Sequence, residues 1–528
     1  MRWKTTSPRL AAAGCAAVLL VTAACGSSST ATPSTTSSSA PATDSSSSSA
    51  APSSAAPTSS AAPASSAPSS AAPSGSGGPA SSAPSSQAPS SSAPSGSGAP
   101  AAGGGAPTKN PATDGKTINV LMVNNPQMID LQKLTEANFT AKTGIKVNYT
   151  VLPENDMRAK ASLEFKNQAG QYDVATLSNF EIPIYAKNKW VADLTSYTQS
   201  DTAFDQGDIL KPMTSALSVD GKVYGEPFYG ESSFLMYRKD VLAAKSVTMP
   251  DKPTWQQVAD IAAKIDDPKG MRGICLRGQP GWGQLFAPLT TVVNTFGGTW
   301  FDKDWNAKVN ATEFKEATNF YVNLVKAHGE AGASQAGFTE CLNNMTQGKT
   351  AMWYDATSAA GSLEASDSPV KGKMGYAPAP VVKTDSSGWL YTWAWAAEQK
   401  STKKDAAWKF ISWASGKDYE ALVGKQLGWS RVPAGKRSST YSNADYIKSA
   451  EAFGPQTKSA IESAKPTDPG VQPRPAPGIQ FVDIPEFPNL GTKVSQYVSS
   501  AIAGQGTVDD ALNQGQTLAE AVAKNYKK

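Results

Sequence analysis

Three features of this sequence predict an α/β fold in two lobes. Globular patterning begins only near Lys116, which leaves roughly 410 residues, more than one hydrophobic core usually holds. The first stretch of that part alternates strand and helix periods in the order βαβαβ. Amphipathic helices and Gly/Pro-punctuated strand-like pieces then follow to the C-terminus without an internal repeat.

Before the globular part come two segments of different character. Arg2, Lys4 and Arg9 precede an apolar run over 10–21, too short for a membrane span, which needs about 20 apolar residues. Residues 1–25 therefore read as an export signal. The small residues before Cys25 resemble the lipobox of bacterial lipoproteins, in which that cysteine is acylated and becomes the new N-terminus. Thr22 stands where Leu, Val or Ile is usual, and ordinary secretion with cleavage near Ala24 stays open. From 26 to 114 the chain is almost wholly Ser, Ala, Pro, Gly and Thr, with charge only at Asp44, Lys109 and Asp114. Such a composition cannot bury enough apolar surface to offset chain entropy, and it predicts a disordered tether reaching roughly 50 Å.

In the globular part, 118–123 reads as a buried strand, and Met128, Leu131, Leu134, Ala137 and Ala141 recur at helical spacing up to Gly144. Ile145, Val147, Tyr149 and Val151 alternate with polar residues as a strand does. A helix over 157–168 and a strand over 172–177 complete the unit. Later helices are marked by the capping box Thr254–Gln257, by Phe314, Ala317, Phe320, Tyr321 and Leu324, and by Ala407, Phe410, Ile411 and Ala414.

Charge and chemistry narrow the function. A net charge of +4, scattered along the chain, gives no field for nucleic acid. With His328 as the single histidine, histidine-based metal sites and Ser-His-Asp catalysis are excluded. The glycines of 278–283 lack the Lys-Ser/Thr of a phosphate loop. Cys275 and Cys341 remain in the globular part. In an exported domain they most simply pair, and two buried free thiols are the alternative.

Polar and aromatic residues gather at several loop or strand-end positions, notably Glu154, Glu181, Glu231, Arg277, Trp282 and Asp355. In 389–395 four aromatics occupy alternate positions, so on a strand they share one face. Rings suit the C–H faces of a polyol, and carboxylates, amides and Arg suit its hydroxyls. Trp389 and Tyr391 read as packed core, Trp393 and Trp395 as ligand contacts. Each carboxylate could equally be a surface charge or a helix cap, and Arg277 could brace the Cys275 loop.

The motifs LPENDMR (152–158), YDVATLSNFEIPIYAKNKWVADL (172–194), GICLRGQPGWG (273–283), WYDAT (353–357), WLYTWAW (389–395), GWSRVPAGKR (428–437) and GIQFVDIPEF (478–487) resemble family 1 extracellular solute-binding proteins of ABC importers. The resemblance runs from about Ile118 to the C-terminus and is closest to the sorbitol/mannitol-binding branch. It implies a type II periplasmic-binding-protein-like fold with an interlobe cleft and hinge crossings near 229–233, 389–396 and 429–433. Lobe 1 would take 115–229 and 397–430, and lobe 2 would take 230–396 and 431–528. The family's pocket carries over to Asn125, Glu154, Glu181, Glu231, Arg277, Trp282, Asp355, Trp393 and Trp395, with Arg431 beside them.

The resemblance further implies a linear alditol or related carbohydrate as ligand, no cofactor, no catalysis, and delivery to a membrane permease. The expected chain is a monomer held to the membrane through lipid on Cys25. The competing readings are an exported glycosidase, which needs two carboxylates about 5–10 Å apart, and a sugar-binding sensor or adhesin that feeds no importer.

Overall fold

The computed structural model describes residues 116–527; the export signal, Cys25 and the tether expected at 26–114 lie outside the described residues. Strands β1 (Thr117–Val123), β2 (Lys146–Leu152) and β3 (Val174–Ser178) form the core of the first lobe. β1 pairs in parallel with both β2 and β3, as the βαβαβ order requires. The buried runs of β1 and β3 sit centrally, while β2, exposed at Lys146 and Asn148 and half-buried at its other positions, lies at the edge. A two-residue hairpin, β4 (Ser218–Val219) and β5 (Lys222–Val223), turns through Asp220 and Gly221, both in the left-handed region.

β6 (Glu226–Glu231) then enters the first sheet, and after the single residue Ser232 the chain becomes β7 (Ser233–Arg238) of a second sheet. Ser232 is clamped at that crossing: its N–H donates to Thr357 Oγ1 at 3.2 Å, and its carbonyl accepts from Thr357 N at 2.9 Å. β7 pairs antiparallel with β8 (Met352–Ala356) and β9 (Met374–Pro378). Helices Phe286–Phe296, Thr312–His328, Phe487–Ile502 and Val508–Ala523 fill out this second lobe. Its core centres on Trp300, whose ring meets Phe286, Phe314 and Phe487 at 4.8–5.4 Å between centroids.

The expected partition needs two corrections. β10 (Tyr391–Ala397) does not belong to the second lobe, because it runs antiparallel between β3 and β6 and completes the order β2-β1-β3-β10-β6. Its hydrogen bonds fix its place, and the second crossing falls just before Tyr391. The third crossing also comes later than 429–433. Lys436 O accepts from Leu210 N at 2.7 Å, and the buried Arg437 binds the carbonyls of Phe204 and Ser415, all first-lobe groups. Gly230 N donates to Ala434 O at 3.1 Å, and Gly230 and Gly435 lie backbone against backbone with Gly435 at φ +84°. The chain rejoins the second lobe around Phe453, whose ring meets Tyr376 of β9 at 5.9 Å.

One predicted helix is interrupted. Pro126–Thr135 is α-helical, but Glu136–Thr140 forms a π turn. The wider turn rotates the buried face, so Phe139 points inward and Ala137 and Ala141 are exposed.

Cys275 and Cys341 are joined by a disulfide with Cα atoms 5.7 Å apart. It ties the segment carrying Arg277 to helix Phe338–Thr346. Among the described residues no helix is long and apolar enough to cross a membrane.

Candidate functional site

The C-terminal ends of β1, β2 and β3 face the second lobe, and helices start there. Asn125 caps helix Pro126–Thr135: its Oδ1 accepts from Met128 N at 3.0 Å, and proline follows at the first helical position. That role leaves Nδ2 free to donate to Tyr229 Oη at 3.0 Å. Glu154 opens helix Glu154–Asn167, where a carboxylate is favoured by the helix dipole. One helical turn on, Arg158 Nε donates back to Glu154 Oε1 at 3.0 Å.

Between the lobes lies a cavity of about 190 Å³, walled on the first-lobe side by Asn125, Glu154, Tyr229, Glu231 and Trp393. On the second-lobe side its wall is Arg277, Gln279, Gln284, Phe338, Thr339 and Glu340, with Ser358 behind. At about 30 Å³ per water that space equals roughly six waters. Its surface combines carboxyl, amide, hydroxyl and guanidinium groups with one tryptophan and one phenylalanine.

The other expected residues lie beside this cavity or away from it. Asp355, fully buried, accepts from Arg277 Nε at 2.7 Å and Nη2 at 2.6 Å, and so fixes the guanidinium that reaches the cavity. Glu181 accepts from Arg158 Nη1 at 3.0 Å and from Ser178 N and Oγ at 2.8 and 2.6 Å. It anchors the arginine rather than lining the space. Trp282 closes over the rim, its ring 4.8 Å from that of Phe180 across the cleft.

Trp395 departs from the expectation. It is fully buried between Phe228 and Phe410, at 5.4 and 5.3 Å, because it stands two residues, about 7 Å, further into the sheet than Trp393. Arg431 departs too, since its Nε and Nη2 donate to Asp130 Oδ2 at 2.8 and 2.6 Å, outside the cavity wall. Trp389 packs at 6.0 Å from Tyr354. Tyr391 lies under Arg158, whose Nη2 donates to its hydroxyl.

Two residues that the sequence reading passed over hold the lobes together. Arg158 is buried with its Cζ 4.5 Å from the Trp393 ring centre and 4.4 Å from that of Trp282 in the other lobe. Burial opposes its charge, but Tyr391, Glu181 and Glu154 outweigh it and keep the guanidinium ionised. Gln284 Nε2 donates to Glu154 Oε2 at 3.0 Å across the cleft, while its Oε1 faces Arg277 Nη1 at 3.4 Å. Arg158 had a signal in the i,i+4 spacing from Glu154, whereas Gln284 had none.

These bridges, with Asn155 Nδ2 donating to Pro280 O at 2.9 Å and Gln127 Nε2 to Ser358 O at 3.1 Å, make this a closed arrangement. The glycine loop permits it. A Cβ on Gly283 would sit 2.7 Å from Glu154 Oε1 and 2.8 Å from Arg158 Nε, both atoms held by other bonds. Gly283→Ala is therefore expected to weaken ligand binding about tenfold or more and to leave the unliganded unfolding midpoint nearly unchanged. Calorimetric titration against the wild type checks this, and equal affinity would mean that the two side chains yield.

Burial raises the Glu231 carboxyl to about 8; Ser358, whose hydroxyl donates at 2.6 Å, and Arg277 only partly offset it. The neutral acid can both donate to and accept from a hydroxyl, a combination that a carboxylate lacks.

Relatives agree with this geometry. A family model for bacterial extracellular solute-binding proteins matches residues 125–421. The mannitol-binding protein of Pseudomonas aeruginosa is 38% identical over 409 residues, 77% of this chain and 92% of the relative. The solved structure of an ABC transporter solute-binding protein from Agrobacterium vitis S4 with bound D-mannitol has a TM-score of 0.76 at 43% identity, covering 78% of this chain and 99% of that one. Another from Agrobacterium radiobacter K84, in complex with ribitol, gives 0.69 at 25% identity over 78% of this chain and 99% of its own. The family acts outside the cytoplasm, and its members are receptors for solutes rather than glycosidases. This chain belongs to the bacterial extracellular solute-binding protein family.

Proposed function

We propose that the protein captures a linear sugar alcohol of the hexitol or pentitol class and presents it, in the closed form, to the permease of an ABC importer. The observation that carries this reading is the cavity wall, where paired amide, carboxyl and guanidinium groups face a volume of about 190 Å³ beside Trp393. Alternating hydroxyls of an extended polyol match such a wall, and the ring of Trp393 suits the C–H edge of the chain. The relatives named above support the ligand class through their bound or named polyols.

Binding and closure are one equilibrium in this mechanism. A solute that touches both walls stabilises the closed form over the open one, whereas one that touches a single lobe shifts nothing. Ligand-binding roles are assigned to Asn125, Glu154, Glu231, Arg277 and Trp393, with Gln284 added. Asp355 positions Arg277, and Glu181 holds Arg158, which in turn bonds Glu154. The lipobox-like sequence supports acylation of Cys25 and attachment of a monomer to the outer face of the membrane, with 26–114 as its tether.

A thermal-shift panel of alditols, monosaccharides and disaccharides on the globular part tests the ligand class. A ligand at a hundred times its dissociation constant is expected to stabilise by about 2.7 kcal/mol. Shifts restricted to alditols support the reading, and shifts restricted to cyclic sugars sink the polyol assignment while keeping the receptor.

A further inference from the structure

The cavity is closed at one end by the stack of Trp393, Arg158 and Trp282, and this end wall is made by both lobes. Trp393 and Glu154 face the cavity, while Arg158, bonded to Glu154 and stacked on Trp393, stands behind them. Trp282 reaches over from the second lobe and covers the exposed face of the guanidinium. Beyond it the cleft is filled, because Phe180 of the first lobe packs against Trp282 and Phe481 at 4.8 and 5.5 Å. Trp282 and Phe481 themselves meet at 4.8 Å. Alongside, the Gln284–Glu154 bond spans the cleft at 3.0 Å.

We propose that this stack is a length gate: the lobes close fully only over a solute short enough to leave Trp282 free to cover Arg158. The inference deepens the polyol reading and rests on it for the nature of the ligand. A second sugar unit extending past Glu154 needs the space that Trp282 takes in the closed form. It would hold Trp282 off Arg158 and break the Gln284–Glu154 bond. Discrimination then comes from closure, since a long ligand forfeits contacts between the lobes as well as its own fit. Arg158 acts through Trp393 and Glu154 and is a positioning residue. Trp282 determines specificity although it stands outside the cavity lining.

The experiment measures affinities for mannitol, glucose, maltitol and maltose in the wild type, Trp282→Ala and Trp282→Leu, with unliganded melting as a folding control. Leucine retains apolar contact with Phe180 and Phe481 but cannot cover the guanidinium. The wild type is expected to bind a single-unit solute and to reject its two-unit counterpart. In both variants the ratio of two-unit to one-unit affinity is expected to rise about tenfold or more, through weaker short-ligand binding and measurable long-ligand binding, the latter stronger in Trp282→Ala. A wild type that binds maltitol or maltose as well as the short solutes overturns the gate, and so does an unchanged ratio in folded variants. Preference for glucose over mannitol with maltose rejected overturns the polyol reading and leaves the gate standing. A wild type that binds none of the four, nor sorbitol or ribitol measured beside them, overturns both.

Discussion

Replacing Arg277 by methionine is expected to cost the folded protein about 3–5 kcal/mol and to abolish measurable solute binding. The guanidinium forms two parallel bonds to Asp355, at 2.6 and 2.7 Å, and a third to Gly283 O at 3.1 Å. Without it the Asp355 carboxylate, fully buried, keeps only Trp353 Nε1 at 3.0 Å and Ala356 N at 2.6 Å as donors. A buried charge left with neutral donors is what makes single deletions of such pairs expensive. Removing both partners, as in Arg277→Met with Asp355→Leu, deletes the stranded charge and is expected to restore much of the stability. It is not expected to restore binding, because Arg277 lines the cavity. Chemical denaturation of the single and double variants, followed by titration with the solute, separates the two effects. A loss below about 1 kcal/mol in Arg277→Met would mean that Asp355 finds another partner and that the pair is not the anchor of this wall.

The second large effect is a decline of stability with rising pH. Burial holds the carboxyls of Glu226 and Glu231 near 8, against 4.5 for an ordinary glutamate. Between those values the folded chain keeps protons that the unfolded chain has released. The stability these two groups contribute is therefore full at and below about pH 4.5 and is lost as the pH climbs through 8, by roughly 3–5 kcal/mol for each group at most. Glu398, fully buried and pushed up by that burial to about 7, adds to the same slope.

Glu231→Gln isolates one contribution, because an amide keeps a partner for Ser358 and cannot ionise. The variant is expected to lose part of the wild-type decline between pH 6 and pH 9, measured by denaturant unfolding at a series of pH values. Its solute affinity is expected to stay level over that range while the wild type weakens as Glu231 ionises. Parallel stability curves for the two proteins would mean that Glu231 stays ionised in the folded chain.

Much of this architecture was legible in the sequence because it rests on periodicity. The alternation of Val147, Tyr149 and Val151 marked a strand, and Thr254 with Gln257 marked a helix start that the structure caps as a full capping box. The π turn at Glu136–Thr140 was not legible, since a local change in winding leaves the apolar spacing looking helical. The lobe assignment of β10 was hidden for a different reason: a strand's neighbours are chosen by pairing across more than 150 residues.

At the site, Glu154, Arg277 and Trp393 stood out as charged or aromatic residues near strand ends. Trp395 shares that pattern yet lies in the core, because position along the strand, not side-chain type, decides which ring meets the cleft. Gln284 was passed over because its importance comes from facing Glu154 across the cleft, a relation between lobes that no spacing within one segment records.

The single-residue link at Ser232 has a kinetic consequence. With β6 and β7 nearly continuous, and Gly230 seated on Gly435 beside them, the lobes have little room to slide, and separation is mainly a rotation. A captured solute can escape only when that rotation has occurred. Its residence time is then bounded by how often the lips part, and contacts at the lips that never touch the solute, such as Arg158 on Trp282, set the clock for its release.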